Sequence, residues 1–166
     1  MNTISPTVLA TTIESPIGPL TITAEDGVLT ALHMHRQRHF PSTPESTGRD
    51  ERALAPIVDQ LQSYFAGERT AFKLPLRLAG TPFQQRVWAG LQEIPYGETI
   101  SYAELAQWVG NPRAMRAVGQ ANGRNPVAIV VPCHRVIAAD GGIGGYGGGL
   151  DRKTWLLEHE ARCSSR

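Results

Sequence analysis

Two helix-start signatures divide the second half of this chain into short pieces. Thr81-Pro82-Phe83-Gln84 supplies an N-cap, a proline at the first helical position, and a glutamine that can reach back to the cap; Ser101-Tyr102-Ala103-Glu104 repeats the capping-box logic. The first signature opens an apolar stripe of Phe83, Val87, Leu91 and Ile94, with Trp88 beside it, which stops at Pro95-Tyr96-Gly97. The second opens a short helix with Leu105, Ala106 and Val109 inward, ending at Gly110. Asn111-Pro112 is expected to cap a third helix running to about Ala121. Two short helices joined by a tight glycine-containing turn read as a helix-turn-helix. Val127 to Val131, between Pro126 and Pro132, reads as a short strand, and Asp151 as the cap of a final helix carrying Trp155, Leu156, Leu157 and Glu160.

The first half has a different grain. Residues 8–34 read as strands, with Leu20 and Ile22 on one side of the Asp26-Gly27 turn signal and Val28, Leu29 and Leu32 on the other. Residues 37–49 read as a mobile loop. Leu54, Ile57, Leu61, Tyr64 and Phe65 recur at helical spacing, with Pro56 near the start and Gly67 as a stop. Phe72, Leu74, Leu76 and Leu78 alternate as a strand would. The expected division is a small α/β domain over 1–79 and a mostly α domain over 80–166, without internal repeats.

Composition narrows the function classes. Of the 166 residues, 41% are hydrophobic and 19% charged, as in a folded globular protein. No apolar run reaches the roughly 18 residues that cross a bilayer, and the N-terminus lacks a secretory pattern, so a cytoplasmic protein without membrane contact is expected. The two cysteines, Cys133 and Cys163, make no C-x-x-C pair and are expected to be free thiols in a reducing compartment. Residues 80–166 carry 9 basic and 7 acidic side chains, and residues 105–139 contain Arg113, Arg116, Arg124 and Arg135 with no Asp or Glu. Such a stretch can face phosphates without self-made repulsion.

Chemistry centres on Val130-Val131-Pro132-Cys133-His134-Arg135-Val136-Ile137. A thiolate is the nucleophilic form of cysteine, and an imidazole next to it, directly or through a water, can favour that form. The imidazole then needs an anion on its other nitrogen; local sequence offers only Asp140, and folding can return Glu160 from the final helix. Taken alone, the pair is equally compatible with a buried core thiol beside a chance neighbour.

Pro132-Cys133-His134-Arg135-Val136 resembles the acceptor motif of the O6-alkylguanine-DNA alkyltransferases. The resemblance continues in order through Ser15-Pro16-Ile17-Gly18-Pro19-Leu20, Phe83-Gln84-Gln85-Arg86-Val87-Trp88, Ile94-Pro95-Tyr96-Gly97-Glu98-Thr99, Ser101-Tyr102, residues 110–119, Asn125-Pro126 and Tyr146-Gly147-Gly148-Gly149. It implies a ribonuclease-H-like sheet with a helix, followed by a winged-helix-like domain carrying the helix-turn-helix. It implies Cys133 as alkyl acceptor, His134 as water-linked base, Glu160 as its orienter, Asn125 as the brace of the turn, and Tyr102 as a residue that rotates the nucleotide and bonds the base. Arg116 would fill the gap left by the extruded base, and Asn111 and Gln84 would lie near the DNA backbone. Val131, Val136, Tyr146 and Gly147 would shape the base pocket. The implied activity is single-turnover transfer of an alkyl group from O6-alkylguanine, and also O4-alkylthymine, in double-stranded DNA to Cys133. The protein would act as a monomer, through the minor groove and largely independent of sequence.

Extrusion of a paired base costs a few kcal/mol, which a planar cationic Arg116 can offset by occupying the vacancy. Ala114, Ala117 and Ala121 around it are small enough for close approach to a narrow groove. No metal or organic cofactor is expected. His33, His35 and His39 lack partners at ligand spacing, and Gly142-Ile143-Gly144-Gly145-Tyr146-Gly147 lacks the βαβ context of a dinucleotide site. The seven glycines of residues 141–149 are expected to form a flap over the pocket. Gly147 offers only its backbone N–H where some relatives have a hydroxyl. The alternatives are a non-enzymatic helix-turn-helix lesion-binding protein and a thiol hydrolase; the first would leave Cys133 unmodified and the second would turn over repeatedly.

Overall fold

The computed structural model describes residues 7–37 and 51–164. All but the first residue of the expected 37–49 loop lies outside the described residues, as does His39. β1 (Val8–Ile13), β2 (Leu20–Glu25) and β3 (Val28–Met34) form an antiparallel sheet in that order. Asp26 and Gly27 both have positive φ, 50° and 82°, so the two-residue connection is a type I′ turn whose twist suits the flanking strands. One face of β2 and β3 is fully apolar: Leu20, Ile22, Leu29, Leu32 and Met34 are completely buried. α1 (Ala55–Phe65) packs Ile57, Leu61 and Tyr64 inward and starts with Pro56 in its first turn, as its periodicity predicts. Gly67, at φ 78°, closes it.

The alternating Phe72, Leu74, Leu76 and Leu78 do present one partly buried side each, but no strand forms. Leu76 makes a single parallel bridge to Leu29, and Pro75 has no N–H for a longer ladder.

α2 (Pro82–Gln92) and α3 (Tyr102–Trp108) each begin with a complete capping box, from Thr81 to Gln84 and from Ser101 to Glu104. Between them runs β4 (Ile100–Ser101), parallel to β5 (Val136–Ile137). α4 (Met115–Gly123) begins three residues later than Asn111-Pro112 predicts. Gly110 at φ 85° and the bonds Gly110 N–H to Gln107 O and Asn111 N–H to Ala106 O form a Schellman closure, so Asn111 finishes α3 instead of starting α4. Ala121 is buried, and of the three small residues only Ala117 is exposed. α5 (Leu150–Ser164) includes Asp151 in its first turn and not as the residue before it.

The expected 127–131 strand is instead a turn. Val127 bridges Leu32 of β3, after which Ile129 adopts φ 72°. A left-handed β-branched residue costs about 1–3 kcal/mol and persists only where its surroundings dictate it. Here the Asn125 amide does so: its Oδ1 accepts from Val127 N–H (3.0 Å) and its Nδ2 donates to Val131 O (2.7 Å). The indole of Trp88 adds a buried bond from Nε1 to Ala121 O (2.8 Å), fixing α2 to α4. One apolar core runs from the sheet through α1 to α2, α3, α4 and α5. Among the described residues no helix is long and apolar enough to cross a membrane.

Candidate active site

The braced turn delivers Cys133 at the start of a single 3₁₀ turn, Cys133–Arg135. Its thiol borders a cavity of about 580 Å³ also lined by Tyr102, Arg116, Gly119, Asn122, Asn125 and residues 145–148. Cys133 is 7% exposed, so it is approached through this cavity and not from open solvent. Asn122 Nδ2 donates to Cys133 O (3.4 Å) from the base of α4. Neither cysteine is in a disulfide.

Behind the thiol lies a buried carboxylate that organises four neighbours. Glu160 Oε2 sits 2.7 Å from His134 Nε2 and accepts from Tyr64 Oη at 2.6 Å. Arg135 grips both carboxylate oxygens, Nε to Oε1 at 2.8 Å and Nη2 to Oε2 at 3.1 Å, and spends Nη1 on Ile94 O at 2.7 Å. Gly97 N–H adds a weaker bond to Oε1 (3.4 Å). Burial opposes the charge on Glu160, but His134 and Arg135 outweigh it and hold the carboxyl well below the usual carboxylate range. An ionised carboxylate only accepts, so His134 must carry its proton on Nε2, leaving the Nδ1 lone pair free. Nδ1 is buried and has no hydrogen-bond partner among the described residues.

Burial lowers the His134 pKa against the pull of Glu160, so the ring is neutral at rest. Burial also pushes the Cys133 thiol up, offset in part by Asn125, Tyr146 and the charge of Lys153. The resting thiol is therefore held protonated.

The remaining sequence-predicted residues separate into two groups. Tyr102 borders the cavity and donates from Oη to Gly145 O (3.4 Å); Arg116 is exposed at its edge; Gly147 and Tyr146 form its glycine-rich side. Val131 and Val136 are completely buried and are not lining residues; their carbonyls accept from Asn125 and Lys153. Asn111 is exposed on the α3–α4 turn, away from the cavity. Gln84 Oε1 is occupied by Thr81 N–H in the capping box. Arg135 is a correction: read as a phosphate-facing cation, it is buried against Glu160, whereas Arg113, Arg116 and Arg124 are exposed.

Three residues of the site are not evident from the sequence. Tyr64 reads there as core only, and Arg135 as surface. Lys153, completely buried, donates from Nζ to Val136 O (2.6 Å) and Gly145 O (3.1 Å), and burial drops its pKa to about 8. Its one signal in the sequence is its spacing of seven from Glu160, which puts both on one face of α5.

Comparison with known proteins follows the same lines. Residues 8–78 match the family model described as 6-O-methylguanine DNA methyltransferase, ribonuclease-like domain, and residues 82–162 match its DNA binding domain. A methylated-DNA–protein-cysteine methyltransferase of Mycolicibacterium paratuberculosis is 58% identical over 153 residues, covering 92% of each chain. The constitutive enzyme of that name from Bacillus subtilis is 48% identical over 154 residues, covering 90% of this chain and 93% of its own. The crystal structure of Mycobacterium tuberculosis OGT in complex with DNA superimposes with a TM-score of 0.86 at 54% identity, over 93% of both chains. With its Pro132–Val136 motif in a braced turn, its two matched domains and relatives aligned over nearly their whole length, this chain belongs to the methylated-DNA–protein-cysteine methyltransferase family.

Proposed function

We propose that this protein repairs DNA by moving the alkyl group of O6-alkylguanine, and of O4-alkylthymine, onto Sγ of its own Cys133. The observation that carries the proposal is the buried thiol at the wall of that cavity, backed by a histidine whose tautomer is set by Glu160. In the reaction the Sγ–CH3 bond forms as the O6–CH3 bond breaks. A water between Sγ and the free lone pair of His134 Nδ1 takes the thiol proton to the imidazole, and Glu160 stabilises the resulting cation. The guanine leaves as an anion spread over O6 and N1 and takes up at N1 one proton, equal to the one the thiol gave up, leaving an ordinary guanine and S-methylcysteine. Tyr102 hydrogen-bonds the base and turns the nucleotide, and Asn125 keeps the acceptor turn in place. Water does not readily cleave an unactivated thioether, so each molecule acts once. No cofactor enters the balance.

α3 and α4 act as the helix-turn-helix, with Arg116 in the space the base vacates. Asn111 and Gln84 lie toward the backbone, and Val131 and Val136 shape the pocket only from behind. The duplex is gripped from the minor groove, by a monomer, with little regard to sequence, as suits a lesion possible at any guanine. The division into domains falls at about residue 79, and the protein works in the cytoplasm. A non-enzymatic lesion binder is disfavoured by the presence of the acceptor thiol on the cavity and by relatives named as methyltransferases.

The direct test is to count labelled methyl groups. Incubation with excess O6-methylguanine duplex should load one methyl per chain, with a gain of about 14 Da on the Cys133 peptide. Repaired DNA with an unmodified Cys133, or continued turnover, overturns the proposal. Arg116→Ala should slow repair of duplex DNA roughly 10- to 100-fold, the equivalent of a few kcal/mol of base extrusion. Reaction with free O6-benzylguanine, which needs no extrusion, should change less than threefold or so; equal slowing of both would remove Arg116 from this role.

A further inference from the structure

The sheet-bearing first section gives the chemistry described above only the Tyr64 hydroxyl on Glu160, yet it also reaches the pocket, through Met34, Gln37 and the turn that follows β1. Residues 15–18 form a tight turn between β1 and β2: Gly18 N–H donates to Ser15 O (3.0 Å), Ser15 Oγ donates to Gly18 O (2.6 Å), and Ile17 is buried. From the first turn of α5, the Arg152 guanidinium joins this turn to the glycine-rich segment. Nε donates to Ile17 O (3.0 Å) and Nη1 to Gly148 O (3.3 Å). Arg152 is half-buried and does not line the cavity, whereas Gly148 does.

Gly148 itself is a point of close approach. A Cβ there would fall 2.5 Å from Met34 Sδ of β3 and 2.8 Å from the Tyr146 ring. Tyr146 in turn lines the cavity together with Cys133, and its buried hydroxyl has no hydrogen-bond partner among the described residues. The wall is thus squeezed between the sheet and the thiol. A segment with seven glycines in nine residues has few side chains to hold it and loses much backbone freedom when ordered. Two ties fix it. One is at Gly145, whose carbonyl accepts from Lys153 and Tyr102 inside the pocket. The other is at Gly148, made by Arg152 from outside.

We infer that Arg152 is a positioning and specificity-determining residue: it straps the glycine-rich wall to the residue 15–18 turn and so sets how large an alkyl group fits between Tyr146 and Cys133. The inference rests on the alkyl-transfer reading and adds the element that limits substrate size. A planar fork with separate donors can hold two carbonyls on different segments at once. A lysine, with a single nitrogen, cannot reproduce that spacing. With the strap cut, the wall retreats. A methyl group, which needs close alignment, is then transferred more slowly, while a benzyl group gains room. Displacements of about 1 Å in such alignments cost up to about 10²-fold.

The experiment compares wild type, Arg152→Ala and Arg152→Lys, each at a series of substrate concentrations, on O6-methylguanine duplex and on O6-benzylguanine duplex. Both substrates need the same extrusion, so their ratio isolates the pocket. Arg152→Ala should shift the benzyl-to-methyl rate ratio about tenfold or more toward benzyl, and Arg152→Lys should fall between it and wild type. Gly148→Ala provides a second route that leaves Arg152 intact. Its Cβ should displace Tyr146 and narrow the pocket, moving the ratio the opposite way. Thermal midpoints are recorded for each variant. An unchanged ratio in Arg152→Ala, or equal loss on both substrates in step with a lowered midpoint, overturns the inference. Failure of wild type to take up a methyl group from either duplex would instead refute the alkyl-transfer reading.

Discussion

Cys133→Ser should bind O6-methylguanine DNA and remove no methyl group. The substitution is close to isosteric, and the backbone contacts of position 133, from Asn122 Nδ2 and to Val131 O, do not involve the side chain. The fold should therefore survive, and gel-shift affinity for lesion duplex should stay within about threefold of wild type. Chemistry should not survive. The only group at this place in the cavity that can become a soft, strongly nucleophilic anion is the sulfur. A serine hydroxyl faces the same burial with a far higher intrinsic pKa, so transfer should fall on the order of 10⁴-fold or more. Labelled-methyl counting reads this directly. Residual transfer to the serine variant above about 1% of the wild-type rate would mean that another residue, with Cys163 the first to check, is the acceptor.

Glu160→Gln should be the most damaging substitution to stability. The carboxylate accepts from His134, Arg135 and Tyr64 at once, in a region where it is 1% exposed. An amide of the same shape brings one NH2 against these donors and leaves the Arg135 guanidinium without its counter-ion. Breaking a buried pair in this way costs about 3–5 kcal/mol. For a chain of this size that lowers the thermal midpoint by roughly 6–20 °C. Removing both partners, as in Glu160→Gln with Arg135→Met, should recover part of the loss, because no charge is then buried alone. Full additivity of the two single losses in calorimetry would contradict the coupled network. The same carboxylate gives an acid dependence. Its folded pKa lies below its unfolded value near 4.5, so its stabilisation is complete above that value and is lost as pH falls below it. Glu160→Gln should lack this component: the stability gap between variant and wild type should narrow as pH is lowered from 6 toward about 3.

Local signals were the legible ones. Both capping boxes and the Asp26-Gly27 turn are decided by residues three or four apart, and all three form as their sequences imply. The five-residue thiol motif pointed to the acceptor, but spacing alone left it as compatible with a core cysteine. The need of the imidazole for an anion left Asp140 and Glu160 open, the resemblance singled out Glu160, and folding across 26 residues placed it against His134. What stayed hidden depended on tertiary partners. Arg135 lies in a stretch free of acids, and its counter-charge arrives from α5, so its neighbours in sequence argued for phosphate. Tyr64 fits the apolar stripe of α1 by its ring, while its hydroxyl answers to a residue 96 positions away. Ile129 shows the limit in backbone terms: a β-branched residue argues for a strand, and only the amide brace of Asn125 bends it into the left-handed region. Pro75 gave a warning that alternation alone did not, since a missing donor stops a ladder even where the side chains alternate.

The backbone of Leu32 is bonded at both its N–H and its carbonyl, to Pro126 O and Ala128 N–H, so an outer strand of the sheet leads directly into the segment that bends around Ile129. The sheet and the Cys133 sulfur are thus wired in series. A molecule that loses its first section loses the scaffold of Cys133 in the same event, and under the single-use transfer proposed above, a chain with one equivalent of reagent does not keep it presented once the rest has melted.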